Sequence, residues 1–150
     1  MRILIATDGS DFSREAVEKT CQMLVMPEDT EIKIVCVYQT VSALDAFPES
    51  TNYSGKLEEK ERTDSQSFVN SAVDIVNEYF PESSLKIETE VKSGAPDQAI
   101  LETAGIWKPN VIVVGSHGRG FWGRLTVGSV SDSIIHHASC PVFVVRKTVE

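Results

Sequence analysis

Several stretches of this chain are too apolar to leave either face of a strand in water, and each gives way to a segment of helical period. Arg2–Thr7 is an almost continuous apolar run ending at Asp8-Gly9-Ser10, and Glu31–Tyr38 carries Ile32, Ile34, Val35, Cys36 and Val37. Strands of that kind belong to parallel sheets covered by helices on both faces, whereas a sheet with one wet face alternates apolar and polar residues. Val111–Val114 continues the series and Pro141–Arg146 closes it, which predicts an α/β domain around a parallel sheet.

Between these strands the period changes to that of helices. Ala16, Val17, Thr20, Cys21 and Leu24 recur at three-and-four spacing, with Ser10, Asp11 or Ser13 as candidate caps and Met26-Pro27 as the stop. Gln39–Gly55 contains Pro48, several Ser/Thr and no period, and reads as a long loop. A second helix is expected from near Lys56. Its first turns (Glu58, Glu59, Lys60, Glu61, Arg62, Asp64) read as solvated, and its apolar stripe as Phe68, Ala72, Ile75, Val76 and Tyr79, ahead of Pro81. Leu85–Val91 alternates with period two, as an edge strand does, with Thr89 on its apolar side. Gly94-Ala95-Pro96-Asp97 opens a third helix with Ala99, Ile100, Thr103 and Ala104 on its inner face, and a fourth helix spans Ser129–His137. The order βαβαβαβαβ calls for right-handed crossovers, and such sheets bind ligands beyond the carboxyl ends of the strands, where strand order reverses.

A chain of 150 residues fits one domain, 1–150, and no apolar run approaches the length that spans a bilayer. The N-terminal apolar stretch is interrupted by Asp8 and Asp11 too early for a signal peptide. Cys21, Cys36 and Cys140 show neither a close pair nor metal-ligand spacing. The expectation is a cytoplasmic protein with reduced thiols and no metal held by its side chains. A net charge of −8 argues against nucleic acid and anionic membrane as partners. Residues 1–110 hold 10 Lys+Arg against 20 Asp+Glu, whereas residues 111–150 hold Arg119, Arg124, Arg146 and Lys147 against Asp132 and Glu150. Gly115–Ser131 contains no acid, which suits a small anionic ligand.

That acid-free stretch is also the richest in glycine. After Val111–Val114 come glycines at 115, 118, 120, 123 and 128, and Ser129 opens the last helix. Glycines allow positive φ and let backbone N–H groups approach a ligand, while a helix start adds unpaired donors and a positive dipole end; together these outline a phosphate cradle. Two familiar motifs fail here. Gly118-Arg119-Gly120-Phe121-Trp122-Gly123 matches GxGxxG by letter, but its helix starts too late and Arg146, not an acid, ends the next strand. Gly115–Gly120 has P-loop glycine spacing, but Phe121-Trp122 stands where Lys and Ser/Thr are needed.

What fits is Gly115-x2-Gly118-x9-Gly128-Ser129, followed by Val130-Ser131 and by the strand Cys140-Pro141-Val142-Phe143-Val144-Val145-Arg146. At these residues, and at Ile3–Ser10, the chain resembles the ATP-binding branch of the universal stress protein family, with element order agreeing over essentially the whole length. The resemblance implies a Rossmann-like, doubly wound five-stranded parallel sheet of order 3-2-1-4-5, of the adenine nucleotide alpha hydrolase-like kind. It implies that Gly115, Gly118, Gly128 and Ser129 hold phosphates through backbone N–H groups and the Ser129 hydroxyl, continued by Val130 and Ser131. It places Ala6, Thr7 and Asp8 against the nucleoside, with Asp8 accepting from ribose hydroxyls, and the Val37 backbone at the adenine edge. Ala6 stands where many nucleotide-binding members have proline. Ser116, His117, Arg119, Gly120 and Phe121 are further candidate cofactor-binding positions by their place in the loop. The cofactor implied is ATP, or ADP or AMP, with Mg²⁺ or Mn²⁺ on the phosphates, and the implied assembly is a homodimer through the strand Pro141–Arg146.

Simpler readings stand beside these. Asp8 also suits a cap on the first helix, His117 a spacer with its ring in solvent, Arg119 and Arg124 solvated charges, and His136-His137 partners of a helix dipole. Fast hydrolysis wants a lysine on the phosphates, a carboxylate on the metal and a group that orients water. Only Asp8 and Asp132 are candidates for any of these roles. A nucleotide-binding regulatory protein without fast catalysis therefore leads, against a slow ATP hydrolase or phosphotransferase using His117 or Ser129, and against a dimeric interaction module that needs no nucleotide.

Overall fold

The computed structural model describes residues 1–40, 51–82, 85–119 and 127–147. Its elements are β1 (Arg2–Ala6), α1 (Asp11–Met23), β2 (Glu31–Tyr38), α2 (Thr51–Tyr79), β3 (Lys86–Ser93), α3 (Pro96–Trp107), β4 (Val111–Gly115), α4 (Ser129–His137) and β5 (Val142–Val145). The five strands form one sheet of order β3-β2-β1-β4-β5 with every pairing parallel, as expected. β1 is central, pairing Arg2 through Ala6 with Glu31 through Val35, and Ile3 through Ile5 with Val111 through Val113.

The continuous apolar runs have the cause assumed for them. Successive side chains of β1 and β2 go to opposite faces of the sheet. On one face Ile3, Ile5, Ile32, Ile34 and Cys36 pack with Ala16, Val17 and Cys21 of α1 and Val69, Ala72 and Val76 of α2. On the other, Leu4, Val35, Val37, Ile112 and Val114 pack with Ala99, Ile100 and Ala104 of α3 and Ile134 of α4. Ile3, Leu4 and Ile5 are fully buried, and each contributes about 1.5–3 kcal/mol to the folded state. Burial pushes the Cys21 thiol up to about 11 and raises Cys36 as well, so both behave as core residues.

Several element boundaries differ from the sequence reading, β1 ending at Ala6, β4 at Gly115 and β3 starting at Lys86 among them. α1 stops at Met23 rather than near Met26, because Leu24 turns to extended backbone and packs, with Met26, against the core. α2 starts at Thr51, five residues before Lys56. The expected loop shrinks accordingly, and its residues 41–50 lie outside the described residues. β3 runs to Ser93 rather than Val91 because β2 offers ladder partners as far as Tyr38, and on this edge Thr89 is exposed. β5 occupies Val142–Val145, inside the predicted Pro141–Arg146.

Two local features fix where the loops leave the sheet. Gly9 has φ of +76°, and a Cβ there would stand 2.4 Å from the Phe68 ring. Asp97, in the first turn of α3, accepts from Ser133 Oγ of α4 at 2.7 Å, which holds its carboxyl below its ordinary range. Gly9→Ala is therefore expected to lose about 2–4 kcal/mol through strained φ and overpacking. By contrast Gly105→Ala, in open space within α3, should gain about 0.5–1 kcal/mol; urea unfolding checks both. Because the Asp97 carboxyl is depressed in the folded state, its contribution is present at neutral pH and fades as pH falls through the acid range. Ser133→Ala should remove about 0.5–1 kcal/mol at neutral pH and almost nothing once Asp97 is protonated, as read from unfolding curves at a series of pH values.

Candidate functional site

The chain passes from β1 to α1 through a turn built from side chains. Ser10 caps α1, its hydroxyl accepting from Ser13 N at 3.2 Å. The Thr7 hydroxyl accepts from Gly9 N at 3.3 Å and donates to Ser13 Oγ at 3.1 Å. Asp8 is not the cap. One of its carboxylate oxygens accepts from Ser10 N at 3.0 Å, and the other reaches across to the backbone N–H of Arg119 at 2.9 Å.

The second loop leaves β4 beside it. Ser116 N donates to Val145 O at 2.7 Å, Gly128 N donates to Ser116 O at 2.6 Å, and the Ser131 hydroxyl donates to Gly115 O at 2.6 Å. The returning chain is thus clamped onto the end of β4. Gly115, Gly118 and Gly128 serve close approach rather than unusual dihedrals, since among the described residues only Gly9 and Gly94 are glycines with positive φ. A Cβ on Gly115 would lie 2.8 Å from the Phe12 backbone, one on Gly118 2.6 Å from Asp8 Oδ2, and one on Gly128 3.3 Å from His117 Cα and Ser116 O. Gly120 and Phe121, with Trp122, Gly123 and Arg124, lie outside the described residues.

α4 then begins without a side-chain cap, its N-cap being Gly128. The first intrahelical bond joins Asp132 N to Gly128 O at 2.9 Å. The amides of Ser129, Val130 and Ser131 precede it and lie at the positive end of the helix dipole.

A cavity of about 810 Å³ opens between the two loops. Its donor end is lined by Thr7, Asp8, Gly115, Gly118, Gly128 and the first turn of α4 (Ser129, Val130, Ser131), and its apolar wall by Ala6, Val37, Pro96, Ile100 and Val114. β2 runs three residues past its last partner in β1, and Val35 O accepts from Thr7 N. Ladder alternation therefore aims the Val37 N–H and C=O the same way, beyond the end of β1 and toward the cavity. The structure thus brings together Ala6, Thr7, Asp8, Val37, Gly115, His117, Gly118, Arg119, Gly128, Ser129, Val130 and Ser131. The Ser131 hydroxyl is committed to Gly115 O. Ser116 is buried beneath the loop.

Two side chains depart from expectation. His117 is half-buried rather than in solvent: its ring lies 5.2 Å from that of Phe12, with Nδ1 3.0 Å from Ser116 Oγ. Arg119 is exposed but docked on α2, its guanidinium 5.1 Å from the Phe68 ring centre and 3.8 Å from Glu61 Oε2. His136 and His137 sit at the α4 C-terminus, each Nδ1 2.8 Å from a backbone carbonyl.

Sequence reasoning missed Leu57 and Glu61, which line the cavity instead of facing water. A signal was present: stepping back from the buried Val69 in fours reaches Ser65, Glu61 and Leu57, the same helix face. Gln39, Tyr38 and Ser13 also line the cavity. Among the described residues no group of three or more His, Cys, Asp or Glu could hold a metal ion, and no helix is long and apolar enough to cross a membrane.

The cavity thus lies at the switch point of a doubly wound parallel sheet, between β1 and β4, where α/β domains bind their ligands. Residues 1–146 match the profile of the universal stress protein family, and the chain belongs to that family. It is 32% identical to Universal stress protein MJ0531 of Methanocaldococcus jannaschii over 146 residues, which cover 97% of this chain and 82% of the relative. A universal stress protein family protein of Arabidopsis thaliana with AMP bound has a similar fold, with a TM-score of 0.65 at 21% identity, covering 99% of this chain and 93% of the other. A universal stress protein in complex with cAMP has a TM-score of 0.63 at 24% identity, covering 99% and 98%.

The close approaches rank the glycines. Gly115→Ala drives a methyl into backbone and is expected to cost about 2–3 kcal/mol, whereas Gly118→Ala meets a side-chain oxygen and should cost about 1 kcal/mol. In an Asp8→Ala background the second cost should disappear; a urea double-mutant cycle reads the difference.

Proposed function

We propose that this chain binds an adenine nucleotide, ATP first with ADP and AMP as its shorter forms, and acts as a nucleotide-responsive regulatory protein rather than a fast enzyme. The observation that carries this reading is the start of α4: uncapped amides at 129–131 face a cavity whose glycines pack too closely for side chains to fill it. An anion completes such a helix start. Gly118, Ser129 and Val130 would hold phosphates through N–H groups, whereas Gly128, whose N–H is spent on Ser116 O, and Gly115 would serve by close approach rather than as donors. Asp8 would border the ribose, and the Val37 backbone and the Ala6–Val114 wall the base. The AMP and cAMP bound by proteins of this fold support the same ligand class. Mg²⁺ or Mn²⁺ would arrive on the phosphates and neutralise their charge.

The described side chains support a reading of slow or absent turnover. No lysine is among the described lining residues, Asp8 has both carboxylate oxygens on backbone N–H groups, and the His117 ring is packed on Phe12. β5 stands at the sheet edge, which supports pairing with a second copy there in a cytoplasmic homodimer.

Calorimetric titration of the purified protein with ATP, ADP, AMP and cyclic AMP, followed by product analysis, tests the proposal. Saturable binding with negligible ADP release is the expected result, with at least a tenfold loss in Gly128→Val at an unchanged fold by circular dichroism. Turnover of several per minute would contradict the binder reading, and no heat with any nucleotide would remove the site.

A further inference from the structure

The donor end of the cavity carries more negative charge than its glycine loop suggests. Among the described lining residues the charged side chains are Asp8, Glu61 and Arg119, two carboxylates against one guanidinium. Asp8 is engaged by two backbone N–H groups. Glu61 comes from α2, is 30% exposed, and stands 3.8 Å from Arg119 Nη2. The same guanidinium lies over the Phe68 ring, seven residues further along α2. Arg119 is thus held at both ends: its backbone by Asp8, its side chain by α2.

This hold is weak in the way that matters. Both partners of the ion pair are partly in water, which screens their attraction. An anion with several charges competes well against one carboxylate for the guanidinium, and an anion with fewer charges competes less. Glu61 acts against phosphate twice, by neutralising Arg119 and by adding its own negative charge to the cavity. Both effects have the same sign and grow with ligand charge.

We infer that Glu61 sets how much phosphate charge the site accepts, discriminating among nucleotides by the length of their phosphate chain. The inference rests on the nucleotide reading above. Base and ribose contacts are common to AMP and ATP, so the ratio of their affinities isolates this effect. Cation-free ATP is the form that Glu61 opposes most.

The test is calorimetric titration of wild type, Glu61→Gln, Glu61→Lys, Arg119→Gln and the Glu61→Gln/Arg119→Gln double variant with AMP and with ATP, in EDTA at low salt. Glu61→Gln should tighten ATP about three- to tenfold and AMP less than about twofold, the size expected when one partly screened charge is removed. Glu61→Lys should move the ratio further the same way. Arg119→Gln should weaken ATP more than AMP, and removing Glu61 in that background should gain less. Raising the salt should shrink every difference. If wild type binds both nucleotides and neither Glu61 variant changes the ATP-to-AMP ratio, this inference falls and the nucleotide reading stands. If wild type binds neither, both fall together.

Discussion

One carboxylate joins the two halves of this site. Asp8, just beyond the central strand, accepts a hydrogen bond from its own turn at Ser10 and another from Arg119, 111 residues away in sequence. Charge-assisted bonds of this kind are stronger than neutral ones. The Asp8 bond sets the distance between the loop after β1 and the loop after β4. That distance explains the glycine at 118, where any Cβ would displace the oxygen that holds Arg119. The rest of the site follows from that placement: Gly115 against Phe12, Gly128 against Ser116, and α4 starting with its amides facing the gap.

The helix starts show how differently one fold solves the same problem. α1 satisfies its first turn with the Ser10 hydroxyl, and α3 begins with Pro96, which has no N–H to satisfy. α4 has neither, its N-cap being a glycine and its serines lying inside the first turn. Ser131 spends its hydroxyl on the Gly115 carbonyl, pinning the helix to the end of β4. The donors that remain are main-chain groups on a fixed frame. Such groups bind an anion with little reorganisation and, lacking titratable side chains, offer little toward bond breaking.

Much of this was legible in the sequence because its signals are local. The apolar runs at Arg2–Thr7 and Glu31–Tyr38 have one explanation, burial on both faces, and the strand order agrees with the family resemblance. The spacing Gly115-x2-Gly118-x9-Gly128-Ser129 located the cavity's donor end. Less was legible where long-range contacts decide. Asp8 read as a cap or a ribose partner, because its bond to Arg119 has no sequence signature. Glu61 read as a solvated charge within a run of charges, and only packing of α2 over the cavity turns it inward. Positive φ was expected of the glycine loop, whereas Gly115, Gly118 and Gly128 answer to steric proximity, which depends on residues elsewhere in the chain.

The central claim is that main-chain amides at the start of α4 are the principal receptors of the phosphate. The most direct measurement is a ¹H–¹⁵N correlation spectrum of labelled protein during titration with AMP. The account predicts large, saturable shifts of the Gly118, Ser129 and Val130 amides that match in affinity those of Ala6 and Val37. Shifts confined to exposed lysines and arginines, with these amides unmoved at saturation, would contradict it.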